Sequence, residues 1–74
     1  MLAIIAAFHQ EVSDYLENGR FSVADQHDHL RLYRSDVKPH VVVIEGGVGR
    51  EKAEEATKLA VEKYRPDYIV CAGF

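Results

Sequence analysis

The sequence contains few cysteine, proline and tryptophan residues: one cysteine, two prolines and no tryptophan among 74 residues. A single cysteine excludes an intramolecular disulfide, and no group of cysteines and histidines has the spacing of a structural zinc site. Cys71 lies in an apolar segment, so we expect a small buried side chain rather than a reactive thiol. These features are typical of a reduced, cytoplasmic protein.

Long hydrophobic runs and strongly basic stretches are also lacking. The apolar segment 2–7 is too short for a membrane span and lacks the basic flank of a signal peptide. The net charge is −3, and the Lys and Arg residues are scattered along the chain. We therefore expect neither a membrane nor a nucleic acid as a partner.

The length of the chain limits it to one small core. A hydrophobic content of 47% suffices for that core but not for a second domain. A chain this short buries only about 60% of its unfolded surface, and no disulfide or zinc site compensates. We therefore expect residues 1–74 to be the amino-terminal fragment of a single larger domain. The rest of the same protein, other copies in a homo-oligomer, or both would complete it.

The clearest pattern is an apolar strand that leads through a glycine-rich turn into a helix. Segment 41–45 is apolar, Gly46-Gly47-Val48-Gly49 follows, and 51–64 carries an alanine-rich stripe at helical spacing. Pro66 cannot continue this helix, and 68–71 predicts a second strand. Parallel strands joined by a helix form a right-handed unit. This pattern predicts an α/β fold.

The amino-terminal half is less regular. The apolar run 2–7 predicts a strand buried on both faces, and 11–18 predicts a helix that stops at Asn18-Gly19. The alternation over 30–33 predicts an exposed strand, and the polar segment 25–28 before it predicts a loop or turn.

Glu11 is the first candidate for chemistry. It follows a buried strand closely, so we expect it at the carboxyl end of that strand, where open α/β sheets bind ligands. A carboxylate there can act as a general base or acid, or can orient a water molecule. The alternative is a first-turn carboxylate that only stabilises the helix dipole.

The glycines at 46, 47 and 49 form the second candidate. Exposed backbone N–H groups at the start of a helix suit a phosphate or a sugar hydroxyl. The run lacks the Lys-Ser/Thr pair of a Walker loop and the spacing of the dinucleotide fingerprint. The alternative is a tight turn that needs positive φ.

The histidines form the third candidate. His27 and His29 would point to one face of a strand, a spacing that can bind a metal. No third ligand has a natural place beside them, so we expect solvated surface histidines and no metal. His9 is better placed for function because it lies beside Glu11.

Three motifs together resemble the amino-terminal part of the nucleoside phosphorylase superfamily. They read IIAAFHQEV at 4–12, EGGVGR before an alanine-rich helix at 45–50, and RPDYIVCAGF at 65–74. Their order and spacing are most similar to those of the methylthioadenosine/S-adenosylhomocysteine nucleosidases. Those proteins have a Met-Glu-Glu-Glu-Val-like stretch, a Ser-Gly-Ile-Gly-Lys turn, and a Lys-Pro-Asp strand that leads into a Gly-Ser-Ala-Gly-Gly loop. The resemblance implies part of a phosphorylase/hydrolase-like three-layer α/β fold, with a central mixed sheet flanked by helices.

The resemblance also implies roles for individual residues. Glu11 matches the glutamate that positions or activates the attacking water, and Ala7 and Phe8 match residues that line the ribose and its 5′ substituent. Val48 matches an apolar residue near the ribosyl site, and Gly47 lies in the same substrate-binding turn. These matches predict a purine nucleoside N-ribosyl hydrolase, whose chemistry requires no metal and no organic cofactor.

Gly73 and Phe74 match the start of the loop that contacts the sugar and the base. Phe74 stands where the nucleosidases commonly have serine, and His9 and Gln10 replace acidic residues. A Gly-Phe loop looks more like the hopanoid-associated phosphorylase-like proteins. A nucleoside phosphorylase that uses phosphate is therefore the alternative enzyme, and a non-catalytic small α/β nucleotide-binding module is the alternative outside the enzymes.

The resemblance places the remaining catalytic groups far downstream. These are the aspartate that protonates the purine, the base-binding loop, and the glutamate that binds the 2′ and 3′ hydroxyls. We therefore expect residues 1–74 to be inactive alone.

Overall fold

The computed structural model describes residues 1–72 and contains a mixed five-stranded sheet with two helices. The predictions for Gly73 and Phe74 lie outside the described residues. The architecture confirms the predicted α/β fold with a central mixed sheet flanked by helices. Along the chain the elements are β1 (Leu2–Ala6), α1 (His9–Asn18), β2 (Ser22–His27), β3 (Leu30–Arg34), β4 (Val41–Glu45), α2 (Arg50–Tyr64) and β5 (Tyr68–Ala72).

The sheet has the strand order β2-β3-β4-β1-β5. β1 pairs in parallel with β4 on one side and with β5 on the other. β2 and β3 form an antiparallel hairpin, and β3 pairs antiparallel with β4. Because β4, β1 and β5 run in the same direction, their carboxyl ends meet at one edge of the sheet.

The two helices cover opposite faces of the sheet. Successive side chains of a strand point to alternate faces, so one strand can contribute to a core on each face. Neither helix in the described part of the chain is long and apolar enough to cross a membrane. The core on the α2 face consists of Ala3, Ile5, Leu30, Leu32, Val42, Ile44, Ala56 and Ala60. The smaller core on the α1 face consists of Ala6, Val12, Leu16, Tyr33 and Val43.

Helix α2 packs closely on the sheet because its inward side chains are small. Ala56 and Ala60 are completely buried. A Cβ atom placed on Gly46 would lie only 3.3 Å from the Cβ of Ala56, so even an alanine at Gly46 would press on the helix. The helix ends at Tyr64, with Arg65 as its C-cap before Pro66, as the sequence predicted.

The hairpin differs from the sequence prediction in two respects. The segment predicted as a loop, 25–28, is mostly strand, since β2 continues through His27 and the turn occupies Asp28 and His29. The strand predicted to be exposed, β3, is largely buried: Leu30 is 7% exposed and Leu32 is not exposed at all. The alternation itself was correct. The leucines are buried because they lie in the core on the α2 face.

Strand β5 lies where it was predicted, but its side chains are not buried. It is at the edge of the sheet and pairs only with β1 among the described strands. Tyr68 and Val70 are 74% and 51% exposed. Cys71 is exposed as well, so the prediction of a buried thiol is wrong. An edge position exposes side chains that an interior strand would cover.

Candidate functional site

The carboxyl ends of β1 and β4 lie side by side and form the candidate site. Ala6 is the register partner of Glu45, and the Gly46 N–H donates to the Ala6 carbonyl over 2.9 Å. Ala7 donates its N–H to the Ala72 carbonyl at the end of β5 over 3.3 Å, and its side chain is buried. Backbone hydrogen bonds therefore hold the segments after β1 and β4 next to each other.

Glu11 is in the first turn of α1, with its side chain exposed. Its Oε1 atom accepts a hydrogen bond from the Phe8 N–H over 2.9 Å. This contact is the side-chain half of a capping box, and the helix dipole favours a carboxylate there. The capping alternative is therefore present in the structure. It uses one carboxylate oxygen, and the other accepts no hydrogen bond from residues 1–72.

The glycine turn after β4 has two positions that require glycine for conformational reasons. Gly47 has φ 96° and Gly49 has φ 109°, values that L-residues rarely adopt. Gly49 is also the residue before α2, and it provides no side-chain hydrogen bond to the helix. The first N–H groups of α2 are therefore not capped by a side chain and can donate to an oxygen of a ligand.

Phe8 and Val48 place apolar side chains at this same edge of the sheet. They are 47% and 57% exposed, although each closely follows a buried strand. Exposed apolar side chains beside a few well-placed polar groups are typical of a small-molecule site. The structure thus brings Ala7, Phe8 and Glu11 to the edge that also holds Gly47 and Val48.

Glu45 is a residue of this edge that the sequence reasoning missed. Its Oε1 atom lies 2.9 Å from His9 Nδ1, and the Tyr33 hydroxyl donates to the same oxygen over 3.3 Å. A charged residue that ends an apolar run and precedes glycine was the available signal. The rule that singled out Glu11, that ligands bind at carboxyl strand ends, applies equally to Glu45.

An open cleft of about 390 Å³ lies beside His9 on the α1 face of the sheet. Its lining is partly aromatic and partly polar. The lining residues are His9, Ser13, Leu16, Glu17, Phe21 and Tyr33.

His27 and His29 do not form a metal site in the described residues. His29 lies in the turn after β2, so the two side chains are not on one face of a strand. His27 Nε2 lies 2.9 Å from an Asp25 oxygen and His29 Nε2 lies 3.0 Å from a Glu55 oxygen. Lys63, then a backbone N–H and His27, lower the pKa of Asp25 to about 2. Within residues 1–72 no group of three metal-binding side chains comes together.

No protein-family model matches the chain. Among curated proteins, the chain is 34% identical over 79 residues to the 5′-methylthioadenosine/S-adenosylhomocysteine nucleosidase of Staphylococcus aureus, covering 99% of this chain and 32% of that protein. It is 29% identical over 73 residues to the nucleosidase of the same description from Buchnera aphidicola, covering 97% of this chain and 32% of that protein. The chain thus spans about a third of the length of these relatives.

Two solved structures of similar fold are also 5′-methylthioadenosine/S-adenosylhomocysteine nucleosidases. A nucleosidase from Colwellia psychrerythraea, in complex with adenine, has a TM-score of 0.79 and 24% identity, over 95% of this chain and 29% of that one. A nucleosidase from Neisseria meningitidis, in complex with methylthio-immucillin-A, has a TM-score of 0.79 and 20% identity, over 97% of this chain and 32% of that one. These similarities confirm the fold and the resemblance to the amino-terminal part of these nucleosidases.

Proposed function

We propose, from this resemblance, that the chain forms the amino-terminal part of a cytoplasmic purine nucleoside N-ribosyl hydrolase in which Glu11 orients the attacking water. The observation that carries the proposal is the position of Glu11. Its carboxylate is fixed through one oxygen by the Phe8 N–H, and it lies at the carboxyl end of a strand paired with the strand that enters the glycine turn. A fixed carboxylate with a second oxygen available suits a general base.

The chemistry assigns each group a task. As the bond between the purine and C1′ of the ribose breaks, the water oxygen bonds to C1′ and Glu11 takes the water proton. The electron pair of the broken bond leaves with the purine, which needs a proton that the resemblance assigns to an aspartate downstream. Ala7, Phe8 and Val48 would line the ribose and its 5′ substituent. Gly47, with Gly73 and Phe74 beyond the described residues, would border the sugar and the base.

The exposure of β5 supports the proposal that the chain is one part of a larger domain. Its apolar side chains are exposed, and within residues 1–72 no strand pairs with its outer side. The opposite edge, β2, carries Asp25 and an irregularity between Val23 and Asp25, features that protect an edge from further pairing. We infer that the rest of the domain, and further copies of the protein, cover β5 in the intact protein.

Substitution of Glu11 in the intact protein tests the catalytic role. An amide oxygen can still accept the Phe8 N–H, so Glu11→Gln keeps the cap but loses the base. We expect turnover to fall by roughly 10²-fold or more, while the unfolding free energy falls by no more than about 1 kcal/mol, the helix-dipole contribution of the lost charge. Glu62→Gln, an exposed carboxylate on α2, is the matched control. Turnover within about threefold of wild type would contradict a general base, which contributes roughly 10²-fold or more.

The assay also separates the alternatives. Release of free adenine from methylthioadenosine without phosphate is expected for a hydrolase, whereas a requirement for phosphate would indicate a phosphorylase. Residues 1–74 alone should neither turn over nor bind the nucleoside. Tight binding by this segment alone would instead favour a non-catalytic nucleotide-binding module.

A further inference from the structure

His9 and Glu45 join the first turn of α1 to the end of β4, across 36 positions of sequence. The Glu45 side chain is only 20% exposed, so its carboxylate is largely shielded from water, where hydrogen bonds are stronger. The Tyr33 hydroxyl donates to the same oxygen as His9. Arg31 is the register partner of Glu45, and Tyr33, then Glu45, raise the pKa of its guanidinium. Hydrogen bonds from His9 and Tyr33 therefore hold the carboxylate in place.

The first turn of α1 has few other connections to the sheet. The buried side chains of α1 are Val12 and Leu16, which follow it, and the residue before the helix, Phe8, provides no side-chain cap. Within residues 1–72, the hydrogen bond of His9 is the only side-chain hydrogen bond that connects α1 to a strand. Glu11 lies two positions after His9 in that same turn.

We propose that His9 and Glu45 are positioning residues, whose hydrogen bond holds the Glu11 carboxylate at a fixed place relative to the glycine turn after β4. The inference rests on the proposed function, because a fixed carboxylate matters for the water that it orients. An imidazole with its proton on Nδ1 and an imidazolium both donate to Glu45. A displacement of about 1 Å can reduce a rate by roughly 10²-fold.

Two substitutions at His9 test the contact. His9→Ala removes the donor, whereas the amide nitrogen of His9→Asn can donate from nearly the same place as Nδ1. In the intact protein we expect His9→Ala to lower kcat by about tenfold or more, with a smaller change in KM, and His9→Asn to recover most of the loss. His29→Ala is the matched control, because it breaks a histidine–glutamate contact of 3.0 Å at the α2 face, away from the site.

Combination with Glu11→Gln separates positioning from general stability. If His9 acts through Glu11, His9→Ala in the Glu11→Gln protein causes no further loss of kcat, since the two changes remove one effect. If the losses of kcat from the two single substitutions multiply in the double variant, the proposal is wrong. So would kcat of His9→Ala within about twofold of wild type, far from the roughly 10²-fold effect of misplacement, and that result would leave the hydrolase proposal intact.

An NMR measurement decides the structural claim even if the protein has no nucleosidase activity. In amide spectra, His9→Ala should shift the resonances of Glu45 and Gly46, which are 36 or more positions away in sequence, and His29→Ala should not. Unchanged resonances at Glu45 and Gly46 would overturn the positioning role. Shifted resonances without turnover would support the contact and contradict the proposed function.

Discussion

Replacement of Gly49 by alanine is expected to destabilise the protein by about 1–3 kcal/mol. Gly49 has φ 109° and ψ 157°, a region of backbone conformation that is essentially restricted to glycine. A Cβ atom placed there has no neighbour within 4 Å. The expected loss therefore comes from backbone conformation alone and not from steric contact with the rest of the fold.

At the other end of α2, a substitution at Arg65 is expected to stabilise the protein. Arg65 has φ 46° and ψ 58°, the left-handed conformation, which costs an L-residue about 1–2 kcal/mol. Glycine removes that cost but adds about 0.5–1 kcal/mol of unfolded-state entropy. Arg65→Gly is therefore expected to stabilise the protein slightly, by up to about 1.5 kcal/mol, and it retains the hydrogen bond from its N–H to the Val61 carbonyl.

Urea unfolding followed by far-UV circular dichroism measures both changes on the same chain. A shifted midpoint with an unchanged slope reports stability, because the slope reflects the surface exposed on unfolding. The reasoning fails if Gly49→Ala lies within about 0.5 kcal/mol of wild type, the usual range for a neutral surface substitution. It also fails if Arg65→Gly is as destabilising as Gly49→Ala, since the two substitutions are expected to change the unfolding free energy in opposite directions.

Three further predictions concern the core, an ion pair and β5. Ile44 is completely buried, so Ile44→Ala is expected to lower the free energy of unfolding by about 2–5 kcal/mol in the same assay. Asp25 has a pKa of about 2 in the folded protein, against an ordinary value of 3.8. Its stabilising contact with Lys63 is therefore fully present above pH 3.8 and is lost as the pH falls through about 2. Asp25→Asn should remove this pH dependence of the unfolding free energy. Cys71 should react with a thiol reagent readily in residues 1–74 and slowly in the intact protein, and equal rates would contradict the covering of β5.

The strand, turn and helix around Gly46 were predictable because local rules decide them. An apolar run, glycines at positive φ and a proline each act over a few residues. The helix starts at Arg50, one position before the prediction, and ends at Tyr64 as predicted. Glu11 was placed correctly for the same reason, since a short segment links it to the end of β1.

The contacts of Glu45 could not be predicted in the same way. Its contact with His9 exists only because β1 lies beside β4, and its contact with Tyr33 exists only because β3 lies on the other side of β4. Strand order is a property of the whole sheet, and periodicity within one strand carries no information about it. The residues at strand ends are therefore predictable one by one, whereas their pairing is not.

The exposure of side chains on strands β3 and β5 was also not predictable from the sequence of each strand. The sequence predicted an exposed β3 and a buried Cys71 in β5, and the structure reverses both. For β3 the reversal is explained within the chain, because α2 shares a core with its leucines. For β5 no described element fully covers the side chains, and Ile69 and Val70, which are 37% and 51% exposed, forgo part of the about 1.5–3 kcal/mol that complete burial of each would contribute.

The pattern of exposure on β5 distinguishes between two kinds of cover. In β5, Ile69 and Cys71 pair with Ala3 and Ile5 and so point to the α2 face, whereas Val70 points to the α1 face. A second copy paired edge to edge would satisfy the backbone of β5 but would bring no helix over either face. Further strands with helices on both sides would cover both faces, as parallel sheets require. We therefore propose that further strands with helices, rather than edge pairing alone, cover β5 in the intact protein.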